Sequence, residues 1–174
     1  NHKLLLQRMR RKVKDKRVLS LIRMFLKAGV MEDGKVKLPV SGSPQGGIIS
    51  PLLANIYLDR MDEIYDEKYH QTTKYLRNKN ASSGIPVLRL VRYADDFIIL
   101  VRGDRATAEE ALRELQDIVQ TELKMELAEE KTGIHNLEDG FDFLGYHFRR
   151  GPSLRTRYHK TGKPSTVILP SKEA

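Results

Sequence analysis

Apolar residues recur along the first part of the chain at the spacing of α-helices. Residues 3–13 form one such segment, and a second helix is predicted over residues 15–28, with Gly29 as its stop. Asp33-Gly34 then marks a tight hairpin between two short strands. The apolar face of the second helix consists of Val18, Leu21, Ile22, Phe25 and Leu26.

A stretch rich in glycine, proline and serine interrupts this regular pattern. The segment VSGSPQGGIIS, residues 40–50, is predicted to be a loop. Ser50 as the N-cap and Pro51 in the first turn predict a helix that continues to about Tyr69. Residues 71–85 are polar, which predicts a surface loop.

The second half of the chain combines strand and helix patterns. Residues 86–102 contain two runs of strand-forming residues on either side of an acidic bend, which predicts a hairpin. Asp104 is the predicted cap of a long helix, and strands are predicted near 132–137 and 141–149. This order predicts an α+β fold, an antiparallel sheet backed by helices. The buried stripe of the long helix is expected to be Ala108, Ala111, Leu112, Leu115, Ile118 and Val119.

Composition narrows the class of protein without identifying it. Apolar residues make up 40% of the 174 residues, which is enough for a packed core. The absence of cysteine excludes a disulfide framework, and the five histidines lack zinc-type spacing. No apolar run approaches the roughly 20 residues of a membrane span, and no signal-peptide pattern is seen. We therefore expect a cytoplasmic protein that has no membrane partner.

The chain carries a clear excess of positive charge. Thirty-one Lys and Arg against 23 Asp and Glu give a net charge of +8, which favours nucleic acid as a partner. One basic cluster runs from Arg8 to Arg17. The alternative that this cluster and a second one are only solvated surface stays open. The second cluster consists of Arg149, Arg150, Arg155, Arg157, Lys160 and Lys163.

Asp95 and Asp96 place two adjacent carboxylates at the bend of the predicted hairpin, where they repel each other. An ordinary turn, with both side chains in water or bonded to backbone N–H groups, is one interpretation. The apolar run Phe97–Val101 instead favours an inner hairpin whose tip projects charge into a cleft. Mg²⁺ would compensate that charge, and two ions about 3.5–4 Å apart can bracket a phosphoryl displacement.

Four motifs in order carry a family resemblance. YADD at residues 93–96 resembles the catalytic-hairpin motif of reverse transcriptases. The segment SGSPQGGIISPLLANIYLDRMD, residues 41–62, is similar to the loop and helix that precede this motif in the group II intron-encoded branch. AEEKT at 128–132 and FDFLGYHF at 141–148 are similar to a Lys-bearing motif and a primer-contacting turn that follow it. The chain is thus identified as a member of the group II intron-encoded reverse transcriptase and maturase family, with a CRISPR-associated context as an alternative.

The resemblance implies roles for residues near the acid pair. Asp95 would hold the two catalytic Mg²⁺ ions, and Asp96 would support it. A local loop amide is the alternative for Gln45. The residues implied to contact substrate and template are Pro44, Gln45, Gly46, Tyr93 and Ala94.

The later motifs have implied roles as well. Lys131 would act near the triphosphate, where it could protonate pyrophosphate, and an ordinary surface lysine is the alternative. Core packing is the alternative for the primer motif, and we expect Leu144 in particular to be in the core. The implied primer-binding residues are Phe143, Leu144, Gly145 and Tyr146.

The activity that the resemblance implies is RNA-directed DNA synthesis by two-metal nucleotidyl transfer from dNTPs to a primer 3′ hydroxyl. The implied partners are an RNA template, a DNA primer, dNTPs and a group II intron RNA, in a bacterial-type or organellar host. A non-catalytic RNA-binding maturase module, which assists intron splicing, is the alternative.

The resemblance also implies elements outside this chain. The family's third carboxylate is an Asp upstream of the segment that resembles residues 1–13. We therefore expect residues 1–150 to be a partial fingers and palm domain without the first palm strand, and residues 151–174 to be a basic linker toward a thumb. Residues 1–174 alone are predicted to be inactive, with one ion underligated. A second hypothesis is that self-association fills the place of the missing strand.

Overall fold

The protein combines helices with antiparallel sheets in two compact units, Asn1–Leu127 and Ala128–Ala174, and each unit is described by itself. The predicted α+β class is confirmed at this level, whereas the assignment of the strands to a polymerase palm stays a prediction. The computed structural model describes residues 1–27, 30–32, 35–37, 48–70, 83, 86–151 and 165–171.

Four α-helices lie among the described residues of the first unit. Asn1 caps the helix His2–Lys12 (α1) through its side-chain oxygen, which accepts from the backbone N–H of Leu4 across 3.2 Å. Asp104 caps the helix Arg105–Thr121 (α4), as predicted, by accepting from the backbone N–H of Thr107 across 2.9 Å. Among the helices that the structure describes, none has the length and apolar character that a bilayer crossing demands. The helices are α1 (His2–Lys12), α2 (Lys16–Lys27), α3 (Ser50–Tyr65), which continues as a π-helical turn (Asp66–His70), and α4 (Arg105–Thr121).

Helix α3 begins one residue earlier than predicted. Ile49 occupies the N-cap position and makes no side-chain capping bond, so the prediction that Ser50 is the cap is wrong. Pro51 suits the first turn because its ring fixes φ and it has no N–H that would need a partner. That preference fits either of the first two helical positions, so proline alone does not decide where the helix starts.

Seven strands form three antiparallel sheets within the described residues. Tyr93 pairs with Asp96, which confirms the predicted hairpin and leaves a loop of only two residues. The strand Ser165–Pro170 (β7) lies inside the segment 151–174 that was predicted to be a linker. The sheets are β1 (Val30–Glu32) with β2 (Lys35–Lys37), β3 (Val87–Tyr93) with β4 (Asp96–Arg102), and β5 (Phe141–Phe143) with β6 (Tyr146–Gly151) and β7 (Ser165–Pro170).

The core of the first unit lies between its helices and one face of β3. Leu88 and Leu90 are buried, while Arg89 and Val91 between them are exposed, as the alternation of a strand requires. The hairpin therefore has an inner face toward the helices and an outer face. Among the described residues, the buried core consists of Leu5, Leu6, Met9, Ile22, Leu26, Leu53, Tyr57, Met61, Tyr65, Leu88, Leu90, Ala111, Leu115, Ile118, Val119 and Leu123.

The strand predicted near residues 132–137 is wrong. A 3-10 turn, Glu129–Lys131, is followed there by irregular chain. The hydroxyl of Thr132 donates to the carbonyl oxygen of Ala128 across 2.8 Å, and the side chain of Asn136 accepts from the N–H of Glu138 across 3.0 Å. Such local bonds between side chain and backbone compete with a strand ladder and favour turns.

Candidate active site

Ala94 and Asp95 form the two-residue loop of the β3–β4 hairpin. Ala94 has a φ of 54°, because a two-residue hairpin loop needs a left-handed conformation at its first position. A non-glycine residue in this region carries strain of roughly 1–3 kcal/mol. The loop that presents the acid pair is therefore a strained one, and contacts with its surroundings must hold it in place.

The carboxylates of the acid pair face solvent. Asp95 and Asp96 are both exposed, and the neighbouring Tyr93 is 67% exposed. Across the part of the chain that the structure describes, no side chain or backbone group donates a hydrogen bond to either carboxylate. With respect to the described residues all four oxygens are thus open, unlike those of an Asp whose carboxylate caps a helix or a turn.

The donor atoms of the acid pair fit Mg²⁺. Carboxylate oxygens are hard ligands, and Mg²⁺ commonly takes one or two of them together with water and substrate phosphates. Among the described residues, Asp95 and Asp96 are not joined by a third His, Cys, Asp or Glu in a group that could hold a metal. This turn alone therefore supplies two carboxylates, and phosphate oxygens or further groups would complete the coordination.

Arg92 links the turn to helix α3. Its guanidinium donates from Nε to Oδ2 of Asp62 across 2.9 Å, and Nη2 donates to the same oxygen. Nη1 donates to Oδ1 of Asn55 across 2.8 Å and to the carbonyl oxygen of Ala94 across 2.7 Å. The side chain of Arg92 is only 12% exposed. One side chain thus connects two helical residues to the backbone of the acidic loop.

The roles of these three residues were not predicted from the sequence, although a signal was present. Arg92 follows Leu88 and Leu90 in the inward-facing register of β3, and a charged residue on a buried face needs a partner. Asn55 and Asp62 are seven positions apart on α3, which places them on the same side of the helix. What the sequence could not supply was the pairing of that helix with this strand.

The predicted primer motif lies at a two-residue hairpin turn of the second unit. Phe143 pairs with Tyr146, so that Leu144 and Gly145 form a two-residue loop with φ values of 52° and 76°. Leu144 is 44% exposed, so the expectation that it belongs to the core is wrong. The reason is its place at the tip of a hairpin, outside the register of the two strands. Tyr146 is 52% exposed.

A polar cluster holds this second loop. His147 Nδ1 lies 2.6 Å from Oδ1 of Asp142, and the hydroxyl of Ser171 donates to Oδ2 of Asp142 across 3.1 Å. The backbone N–H of Ser171 also donates to the carbonyl oxygen of Gly145 across 2.9 Å. The hydrogen bonds from His147 and Ser171 lower the pKa of Asp142. The residue after β7 is thereby tied to the Leu144-Gly145 loop.

The predicted site residues fall into separate groups. Tyr93, Ala94, Asp95 and Asp96 share one turn in the first unit. The second unit contains the primer motif, residues 143–146, and also Lys131, which is exposed at the end of the 3-10 turn. Three further predicted residues lie outside the described part of the chain: Pro44, Gln45 and Gly46.

Comparison with known proteins gives a consistent result. Residues 1–148 match the family described as reverse transcriptase (RNA-dependent DNA polymerase). Protein YkfC of Escherichia coli K12 is 34% identical over 182 residues, covering 96% of this chain and 47% of YkfC. The group II intron-encoded protein LtrA of Lactococcus lactis subsp. cremoris is 33% identical over 183 residues, covering 79% of this chain and 31% of LtrA. Nuclear intron maturase 3, mitochondrial, of Arabidopsis thaliana is 24% identical over 166 residues, covering 87% and 22%.

The chain belongs to the reverse transcriptase family. Its relatives include proteins named as group II intron-encoded and as intron maturases, which confirms the branch indicated by the motifs. The chain spans less than half the length of each of these relatives.

Proposed function

We propose that the protein carrying this chain is an RNA-directed DNA polymerase of the group II intron type. It would transfer nucleotides from dNTPs to the 3′ hydroxyl of a DNA primer paired with an RNA template. The observation that carries the proposal is the Tyr93–Asp96 turn, where two open carboxylates stand at the tip of a hairpin packed on a helical core. Membership of the reverse transcriptase family supports this use of the acid pair.

Asp95 and Asp96 would hold the Mg²⁺ ions. When bound, two such ions supply charge stabilisation to the attacking and leaving oxygens of a phosphoryl displacement. The methyl group of Ala94 leaves room for a sugar beside the acid pair, and the exposed ring of Tyr93 offers a surface to the primer end. The hairpin thus provides both the anionic site and its immediate contacts.

The remaining motif residues take supporting roles in this proposal. Lys131, which is exposed, would act near the triphosphate. The exposed side chains of Leu144 and Tyr146 suit contact with the primer strand better than core packing does. We assign the surface beneath the template base to Pro44, Gln45 and Gly46 on the family resemblance alone.

The test is metal-dependent nucleotide incorporation by the protein at its natural length, with a DNA primer on an RNA template. Asp95→Asn removes one ionised carboxylate, and we expect synthesis to fall by at least about a hundredfold because electrostatic stabilisation of this kind is worth that much. Asp117→Asn, at an exposed position of α4, is the matched control and should keep wild-type synthesis. Wild-type synthesis by Asp95→Asn would overturn the proposal.

Residues 1–174 taken alone are expected to extend no primer. The acid pair supplies two carboxylates, and among the described residues no third potential ligand joins them. The measurement is primer extension by purified residues 1–174, with contaminating polymerase excluded. Sedimentation of the same material tests the proposed self-association, and a monomer whose sheet amides are all protected would contradict it.

A non-catalytic RNA-binding role is the second candidate. It is favoured by the exposed basic residues of α1, among them Lys3, Arg10 and Lys12, and by the relative named as an intron maturase. Binding of a group II intron RNA by a wild-type protein that incorporates no nucleotide would support this role. Loss of synthesis in Asp95→Asn with RNA binding intact would support the polymerase.

A further inference from the structure

We propose that Arg92 is a positioning residue that clamps the Tyr93–Asp96 turn to helix α3 and thereby holds Asp95 in its working position. The proposal rests on the function proposed above, because it assigns Arg92 a task in that same site. The carrying observation is one guanidinium bonded at the same time to Asn55, to Asp62 and to the carbonyl oxygen of Ala94.

The turn needs such a clamp because its own geometry is strained. Ala94 has a φ of 54° and is exposed, so core packing does not hold it there. The bond from Arg92 Nη1 to the carbonyl oxygen of Ala94, at 2.7 Å, acts on the backbone of the strained residue itself. Asp95 follows directly, so the position of its carboxylate depends on how well that peptide is held.

The other end of the clamp is firmly anchored. Asp62 lies next to Met61, which is fully buried in the core, and both nitrogens Nε and Nη2 of Arg92 bond to the Asp62 carboxylate. A charged pair of this kind is stronger than a neutral hydrogen bond, and the planar guanidinium presents its donors in a fixed fork. A lysine has one ammonium group and could not serve three acceptors in that geometry.

The clamp also leaves the metal-binding oxygens free. Arg92 is the nearest cation in sequence to the acid pair, yet its described bonds go to Asp62, to Asn55 and to a backbone carbonyl. Within the described residues, it makes no ion pair with Asp95 or Asp96. Arg92 therefore fixes the acidic turn without neutralising it, which is the arrangement that a cation site requires.

Helix α3 gives the clamp a second consequence. The helix begins at Ser50, four positions after Gly46, the last of the residues assigned to the template surface. Asn55 lies in the second turn of α3, so a bond from Arg92 to Asn55 connects the acidic turn to the start of that helix. We expect Arg92 to influence the geometry of nucleotide addition rather than the affinity for nucleic acid.

The principal test is Arg92→Lys in the protein at its natural length, compared with Arg89→Lys. Arg89 lies on the same strand but on its outer face, and both changes keep the charge. We expect Arg92→Lys to lower kcat by about ten- to a hundredfold, because small misplacement of a catalytic group costs that much. KM for primer–template should stay within about threefold of wild type, and Arg89→Lys should leave kcat unchanged.

A double-mutant cycle separates positioning from general stability. Asp62→Asn should lower kcat as well. The double variant Arg92→Lys/Asp62→Asn should have a kcat little lower than that of either single variant, since both changes disrupt the same Arg92–Asp62 interaction. In Arg92→Lys, hydrogen exchange at the amides of residues 94–96 should be faster than in wild type, whereas exchange at the remaining β3–β4 amides should be unchanged. Full additivity, or unchanged exchange at the turn, would overturn the clamp.

If Arg92→Lys fails to fold, Asn55→Ala tests the proposal in its place. Asn55 is exposed on α3, so its loss should not unfold the protein, yet it removes one anchor of Nη1 and should lower kcat severalfold. Wild-type kcat in Asn55→Ala would then count against the proposal. Asp95→Asn, run in parallel, separates the two proposals: inactive Asp95→Asn with fully active Arg92→Lys overturns the clamp alone. Active Asp95→Asn overturns the proposed function. Hydrogen exchange at the amides of residues 94–96 in Arg92→Lys then tests the clamp by itself.

Discussion

The guanidinium of Arg8 lies 4.9 Å from the centre of the Tyr57 ring, and this contact joins α1 to α3. Arg8 also donates hydrogen bonds to the carbonyl oxygen of Tyr57 and, across 2.8 Å, to that of Glu122 just beyond α4. Burial lowers the pKa of Arg8. The first member of the basic cluster Arg8–Arg17 is therefore a structural cation and not a free contact for nucleic acid.

Replacing Arg8 should destabilise the first unit. Arg8→Ala removes two charge-assisted hydrogen bonds to carbonyl oxygens, and we expect the free energy of unfolding to fall by about 2–3 kcal/mol. Urea denaturation followed by circular dichroism measures it. Arg10→Ala, at an exposed position of the same helix, is the control and should change little. Equal stabilities of the two variants would contradict a structural role for Arg8.

Two buried tyrosines should respond oppositely to loss of the hydroxyl. The hydroxyl of Tyr57 donates to the carbonyl oxygen of Leu123, so Tyr57→Phe should lower the free energy of unfolding by about 1–2 kcal/mol. The hydroxyl of Tyr65 is buried without a hydrogen-bond partner among the described residues, so Tyr65→Phe should be neutral or stabilising. Each variant is the size-matched control of the other in thermal melts. A larger loss of stability in Tyr65→Phe than in Tyr57→Phe would show that the Tyr65 hydroxyl has a hydrogen-bond partner.

The second unit should lose stability on acidification through Asp142. Hydrogen bonds from His147 and Ser171 hold the pKa of Asp142 below its usual value, so its stabilising contribution is complete above about pH 4. That contribution is lost as the pH falls through the lowered pKa. Asp142→Asn should therefore exchange faster than wild type at the amides of β6 and β7 at pH 7, and the difference should shrink below about pH 4.

Asp139→Asn provides the control for this pH dependence. Asp139 is exposed in the turn before β5, so its replacement should leave exchange in β6 and β7 as in wild type at both pH values. A difference between Asp142→Asn and wild type that persists undiminished in acid would contradict the sign of the lowered pKa.

Replacing Leu144 by asparagine should raise the stability of the Leu144-Gly145 hairpin loop and lower the affinity for primer. Leu144 has a φ of 52°, and Leu144→Asn creates the Asn-Gly pair that such two-residue loops favour. We expect a gain of about 0.5–1 kcal/mol in hairpin stability, since asparagine tolerates the left-handed region better than leucine. Primer affinity should fall, because an exposed apolar side chain is lost from the proposed primer-binding turn. Leu137→Asn, at a second exposed leucine outside this loop, should bring neither change.

Helices and hairpins were predictable because their signals are local. Periodicity in α2 and α4 and the cap at Asp104 involve residues within a few positions of one another, and the structure agrees with them. The strand predicted near residues 132–137 was wrong because side-chain bonds to the backbone at Thr132 and Asn136 outweighed its strand-like pattern.

The sequence by itself determined the family, the acid pair and the hairpin that presents it, because these depend on motifs read along neighbouring positions. Only the tertiary structure decided which charges have structural partners and which are open to a ligand. Arg92 and Asn55 are 37 positions apart, and Arg8 and Glu122 are 114 positions apart. Such pairings follow from the packing of helix against strand and helix against helix, which no local pattern encodes.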